Sequence, residues 1–173
     1  MTCRTCSGCA DAPPPYRGFP VAAAVLLLLL GACGPEPLSP QQQVRAYIAA
    51  GEAAAEAREL GRLRALIAPD YADELGRTRP LLLRIVAGYF LRHKSIHILT
   101  RIQRLKITGD DSARVLVYAA TASTPIGGVE QLLGLRADLH RFDLRLGRDE
   151  EGEWRLLSAT WRRARLEDFS ANR

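Results

Sequence analysis

SIHILTRIQRLKITG, residues 95–109, is the stretch that decides the fold. Before it, apolar residues recur every three or four positions; from Ser95 they recur every two. Ile96, Ile98, Thr100 and Ile102 share one side of an extended chain, then the phase slips and Leu105 and Ile107 take over. Period two is the signature of a half-buried strand. A one-residue slip would throw the apolar set to the wrong face unless a bulge absorbs the extra residue. A bulge is therefore expected near Gln103-Arg104.

Three more strands follow. "GDD" turns the chain. "SARVLVYAATAST" sets Val115, Val117 and Ala119 against Leu116 and Tyr118, and Pro125 ends it. "IGGVEQLLG" is a connection with room for one helical turn. "LRADLHRFDLRLG" starts with Leu135, Ala137 and Leu139 inward, then slips to Phe142, Leu144 and Leu146, so a second bulge is expected near His140-Arg141. "RDEEGE" is a polar turn. "WRLLSATWRRARL" closes the series with Leu157, Ala159 and Trp161 on one face. Bulges bend strands, and a bent antiparallel sheet wraps around a helix.

Working back from Ser95, the helical period predicts three helices. Ser39 is placed to cap the first, with Pro40 at its first position. Val44, Tyr47, Ile48, Gly51, Ala54 and Ala55 form its apolar face, and "AAGEAAAEARE" is strong helix former. Leu63, Leu66 and Ile67 make a short second helix stopped by Pro69. A third runs from Pro80, after Thr78 as cap, to about His93, with Leu82, Ile85, Val86, Tyr89 and Phe90 as its buried stripe.

Helix, short helix, helix and four long strands resembles the nuclear transport factor two-like fold, a cystatin-like arrangement shared by ketosteroid isomerases and polyketide cyclases. The residues that carry the likeness are the apolar first helix, "ALIAPDYAD", "RHKSIH", "RADLHRFDLRL" and "GEWRLLSATWRRA". The resemblance implies an α+β domain over residues 41–166: N-terminal helices packed on a strongly curved, cone-like, four-stranded antiparallel sheet, with residues 167–173 as a tail. It also implies an apolar pocket between helices and sheet. The fold hosts enzymes and non-catalytic binding modules alike.

The other end of the chain speaks to compartment. Val21 to Ala32 is an apolar run of 12 residues. As a helix it would be roughly 18 Å long against a hydrocarbon core of about 30 Å. Pro20 and Gly34-Pro35 bar extension at both ends. It fits the apolar core of a signal peptide, with Arg4 and Arg17 as the positive region. The sequence Leu30-Gly31-Ala32-Cys33 resembles the lipobox of bacterial lipoproteins. That implies cleavage between Ala32 and Cys33, removal of residues 1–32, and a palmitate-type diacylglyceryl anchor on the Cys33 thiol. Residues 33–40, rich in proline, then read as a tether. Gly34, where an aspartate would retain a lipoprotein in the inner membrane, implies the outer membrane with the domain in the periplasm. The alternatives are an ordinary signal peptide cut elsewhere, or a short core helix.

Removing Arg4, Arg17 and Asp11 with the leader takes the net charge from +5 to +4, a mild excess. Export argues against a nucleic-acid partner. Cys3, Cys6 and Cys9 lie in the leader and lack a fourth metal ligand, so no metal and no cofactor is expected there. Cys33 is the one cysteine left, so the mature domain holds no disulfide.

No catalytic residue is assigned. Candidate pocket residues are Tyr47, Tyr89, His97, Tyr118 and Trp161. Tyr47 suits a hydrogen-bond donor and equally a core position. Asp138 and His140 share a strand face and suit an acid–base pair, or a solvent face. His93 and His97 have the spacing of a helical metal pair, but helix gives way to strand between them. "WRRAR", residues 161–165, suits anionic headgroups or a solvated edge. The sequence supports an outer-membrane lipoprotein with a non-catalytic domain that binds a small apolar ligand or a protein. The alternative is an isomerase- or cyclase-type enzyme acting on a small apolar carbonyl compound. A second copy, paired through the open face of the sheet, is a further candidate partner.

Overall fold

The computed structural model describes residues 37–135 and 137–170. The leader, the Ala32/Cys33 cleavage site, the lipid attachment at Cys33 and most of the tether lie outside the described residues.

Helix α1 spans Pro40–Glu56. Its start is a reciprocal cap: the Gln42 backbone N–H donates to Ser39 Oγ at 3.3 Å, and the Ser39 N–H donates to Gln42 Oε1 at 2.8 Å. This satisfies two amides that the first turn leaves without intrahelical partners. Val44, Ile48 and Ala54 are its buried face. The chain leaves α1 through Arg58, a non-glycine residue at φ 57°. Its guanidinium donates to the Phe90 carbonyl at 2.6 Å. Helices α2 (Leu60–Leu66) and α3 (Arg79–Arg92) follow.

Strands β1 (His97–Thr108), β2 (Ser112–Ala122), β3 (Asp138–Arg148) and β4 (Trp154–Arg163) form one antiparallel sheet in chain order. The sheet is curled but not closed. A 3-10 turn, Val129–Leu133, links β2 to β3, and a short helix α4, Leu166–Ser170, ends the described chain.

The register carries two bulges. On β1 the pairing with β2 shifts between Ile102 and Arg104, so Gln103 is the extra residue, where the phase slip predicts it. The second bulge is not at His140-Arg141. There β3 pairs with β2 without interruption from Gly147 to Asp138. The shift lies instead between β3 and β4 at Arg145/Leu146, where Leu157 of β4 is the extra residue. Leu156, not Leu157, therefore joins Ala159 and Trp161 on the face toward the helices. Gly147 is the glycine this bulge requires: a Cβ there would sit 2.7 Å from Leu157 Cδ1.

The slip in β3 has a different physical cause. Both faces of the sheet are covered, at opposite ends. Toward α1, Ala113, Val115, Val117, Leu146 and Trp154 pack with Val44 and Ile48, and Phe142 and Leu144 join them. On the other face Tyr118, Ala120 and Leu139 pack with Leu132 and Phe169. An unbroken strand serves both cores by alternation, so the switch from Leu139 to Phe142 needs no extra residue. Residues expected as a tail thus supply part of the second core, with Phe169 fully buried.

The stripe predicted for α3 is only partly correct. Phe90 is buried and Leu82, Val86 and Tyr89 are half-buried, but Ile85 is 42% exposed, and Leu91 on the same helix is 84% exposed. Leu82 and Leu83 pack the helix against the cluster of Ile67, Tyr71 and Ala159.

Candidate functional site

At one end, the sheet face toward α1 is filled by side chains. Tyr47, a candidate donor from sequence, gives its hydroxyl to the Leu66 carbonyl at 2.8 Å, and burial pushes its phenol well above the ordinary value. Gln43 Oε1 accepts from Arg148 Nη2 at 2.6 Å and from Trp154 Nε1 at 3.2 Å, with the Arg148 guanidinium 4.7 Å from the Trp154 ring.

At the other end of this face, α1 presents two carboxylates. Glu56 accepts from the Ile98 N–H at 2.7 Å, and Glu52 accepts the Thr100 hydroxyl. Thr100, Ala119 and His140 are neighbours in register across three strands. The His140 ring lies 6.1 Å from that of Phe142, which places it on the α1 side with Asp138. Burial pushes the His140 imidazole below its ordinary value; Asp138 opposes the shift and Arg163 adds to it.

The other candidate pocket residues are scattered. Tyr89 stacks on His93 at 4.1 Å. His97 lies 3.2 Å from Ser95 Oγ at the start of β1. The two histidines are thus engaged separately, and no group of three metal-ligating side chains occurs among the described residues. Tyr118 sits in the second core, 5.6 Å from the Phe169 ring. Trp161 lies under the Arg77 guanidinium at 3.8 Å.

The open face of the sheet carries the feature that sequence reasoning missed. Register puts Lys106 opposite Arg114, Arg114 opposite Arg145, and Arg145 opposite Ser158. The next row reads Arg104, Leu116, Asp143, Thr160, and the one after it Arg101, Tyr118, Arg141, Arg162. Neighbouring strands are about 4.8 Å apart, so cations stand directly beside cations. Arg141 is neutralised by Asp143 through two contacts of 3.0 and 3.1 Å, and Arg145 donates to Ser158 Oγ at 3.2 Å. Among the described residues the side chains of Arg104, Lys106 and Arg114 have no hydrogen-bonding or ionic partner. Arg162 of the "WRRAR" cluster belongs to this face, whereas Arg165 pairs with Glu167 at 3.4 Å.

The first two rows, with Arg141 of the third, floor a groove of about 740 Å³ whose wall is Ala72, Asp73 and Glu74. The wall is pinned to the edge of β4 by hydrogen bonds from Ala68 N to Leu156 O and from Ala72 N to Leu157 O. It is stiffened from within by Asp73, a buried carboxylate that accepts from the Leu75 and Arg77 N–H groups at 2.9 Å and from Arg77 Nε at 2.6 Å. Burial alone would raise the Asp73 carboxyl; these donors outweigh it and hold it below the ordinary value. Tyr71 beside it is pushed up to about 12, by burial and by the Asp73 charge. The only sequence signals for the groove are R-x-x-R-x-K at 101–106, Arg114, and R-x-D-x-R at 141–145, each of which reads alone as a solvated strand face.

No protein-family model matches the chain, and no curated protein sequence matches it. Its structure is similar to several solved ones. A putative scytalone dehydratase from Novosphingobium aromaticivorans superposes with a TM-score of 0.58 at 13% identity, over 72% of this chain and 84% of that one. A ketosteroid isomerase-like protein from Erwinia carotovora atroseptica gives 0.53 at 13%, over 71% and 95%. A cystatin-like protein of unknown function from Nostoc punctiforme gives 0.53 at 12%, over 75% and 96%. At these identities the likeness establishes the fold: the α+β, cystatin-like arrangement that ketosteroid isomerase-like and scytalone dehydratase-like proteins share.

Proposed function

We propose that the chain is an outer-membrane lipoprotein, held by lipid on Cys33, whose periplasmic domain binds a ligand without chemistry on the open face of its sheet. The observation that carries this reading is the groove there, where Arg104, Lys106 and Arg114 have no hydrogen-bonding or ionic partner among the described residues. Like charges directly opposite one another across strands destabilise a sheet, and a bound anion would relieve that repulsion. The lining favours an anionic ligand over an apolar one. The same rows disfavour a face-to-face pair of copies, which would set cation against cation. Anchoring is tested on the full chain by detergent phase partitioning and acyl labelling: Cys33→Ser should abolish both, and retention of either refutes the anchor.

One observation favours a second reading. Glu52, Asp138 and His140 all address the α1 side of the sheet, near the small side chain of Ala119, and suit proton transfer in an isomerase- or cyclase-type reaction. Turnover of a small carbonyl compound that disappears in His140→Ala would support it over the binding module.

A further inference from the structure

We infer that the open-face groove holds an acidic saccharide. This rests on the binding-module reading and names its ligand class. Lys106, Arg114 and Arg145 form a row with a spacing of about 4.8 Å between strands, comparable to the length of one sugar ring. Successive acidic sugars laid across the strands therefore meet successive cations. Charge-assisted hydrogen bonds from arginine to a carboxylate are the strong ones, and planar guanidinium suits that partner.

The rest of the groove separates this ligand from other anions. Glu74 borders the same space as the cations, as does Asp143, whose charge Arg141 already balances, and Ser158 and Thr160 add hydroxyls. Carboxylates repel a continuous anionic surface such as a bilayer, but they accept hydrogen bonds from sugar hydroxyls. The wall at Ala72–Glu74 rises along one side of the cation rows, so an extended chain can lie against it, whereas a flat membrane meets the wall first. A single-stranded nucleic acid needs exposed aromatic platforms; Tyr118, the aromatic residue of the three cation rows, is buried under Phe169.

The test uses the full chain in non-ionic detergent, titrated calorimetrically with a hexamer of galacturonic acid, its methyl ester, and vesicles of phosphatidylglycerol and phosphatidylethanolamine. The acid hexamer should bind, more weakly as salt rises, and the uncharged ester should not. The double variant Lys106→Ala/Arg114→Ala should weaken binding at least about tenfold. Arg62→Ala/Arg92→Ala, which removes the same charge from exposed helix positions, should leave it unchanged. Binding of ester and acid alike, equal loss in both double variants, or capture by vesicles without binding of the hexamer overturns the inference. Absence of hexamer binding while Cys33-dependent partitioning persists overturns this inference and leaves the anchor standing. A hexamer bound through Lys106 and Arg114 but recovered chemically altered keeps the ligand class and overturns the non-catalytic reading.

Discussion

Replacing Arg114 by threonine should make the domain more stable, although it removes the longest side chain of its strand. Arg114 has Lys106 opposite it on one side and Arg145 on the other, so it takes part in two like-charge pairs at once. At a strand separation of about 5 Å each pair of unit charges repels by ~0.8 kcal/mol in water. A screening length of about 10 Å at 0.1 M salt leaves ~0.5 kcal/mol per pair, hence ~1 kcal/mol for the two; at 1 M the length falls to about 3 Å and the sum to ~0.3 kcal/mol. The Arg114 side chain is exposed, so little buried surface is lost, and threonine suits a strand. Urea unfolding followed by the fluorescence of Trp154 and Trp161 reads the change. The variant should gain ~1 kcal/mol at 0.1 M salt, about 3–5 °C in melting temperature for a domain of this size. Most of that gain should vanish at 1 M. A variant no more stable than the parent, or a gain indifferent to salt, refutes the row of opposed cations.

Gly147→Ala should cost about 1–3 kcal/mol, because its Cβ would press on Leu157 at 2.7 Å; the urea midpoint reads this, and Leu157→Ala in the same chain should recover part of it. Ser39→Ala removes the acceptor that caps α1 and should lower stability by about 1 kcal/mol, most visibly as amide exchange in the first turn. Asp73 is held below its ordinary carboxyl value, so its contribution is present above the unfolded-state value of 3.8 and is lost as pH falls through the lower folded one. Asp73→Asn should therefore flatten the acid limb of the stability curve while destabilising the domain at neutral pH. Tyr71 is shifted the other way: its contribution is complete below the unfolded value of 10.0 and is lost as pH rises towards about 12. Tyr71→Phe should remove that alkaline loss from stability measured between pH 9 and 12.

The two phase slips mark how far the sequence was legible. In β1 the slip from Ile102 to Leu105 is a bulge, because both residues belong to the core under α1 and only bulging out Gln103 between them keeps both there. In β3 the slip from Leu139 to Phe142 looks the same in sequence and is not a bulge, because the two residues belong to cores on opposite faces. The difference lies in what covers the second face. Leu132 and Phe169 do so, from segments that read as a connection and a tail. Strand four misled in the complementary way: Leu157 fits the alternation with Ala159 and Trp161, yet it is the residue the bulge expels. The cation rows were illegible for a related reason. Arg114 and Arg145 are ordinary exposed strand residues until a register spanning two hairpins sets them side by side.

Gln103 joins these two threads. Before it, odd-numbered residues of β1 face the open side; Leu99 lies opposite Ala120 and Arg101 opposite Tyr118. After it, even-numbered ones do; Arg104 lies opposite Leu116 and Lys106 opposite Arg114. Were Gln103 paired in regular alternation instead of bulged out, Leu105 and Ile107 would face the open side, while Arg104 and Lys106 would point at Val44 and Ile48, where unpaired charge is strongly disfavoured. The bulge that completes the core therefore also sends Arg104 and Lys106 to the groove. Core and groove are two outcomes of one local irregularity, so any change that straightens β1 at Gln103 disturbs both.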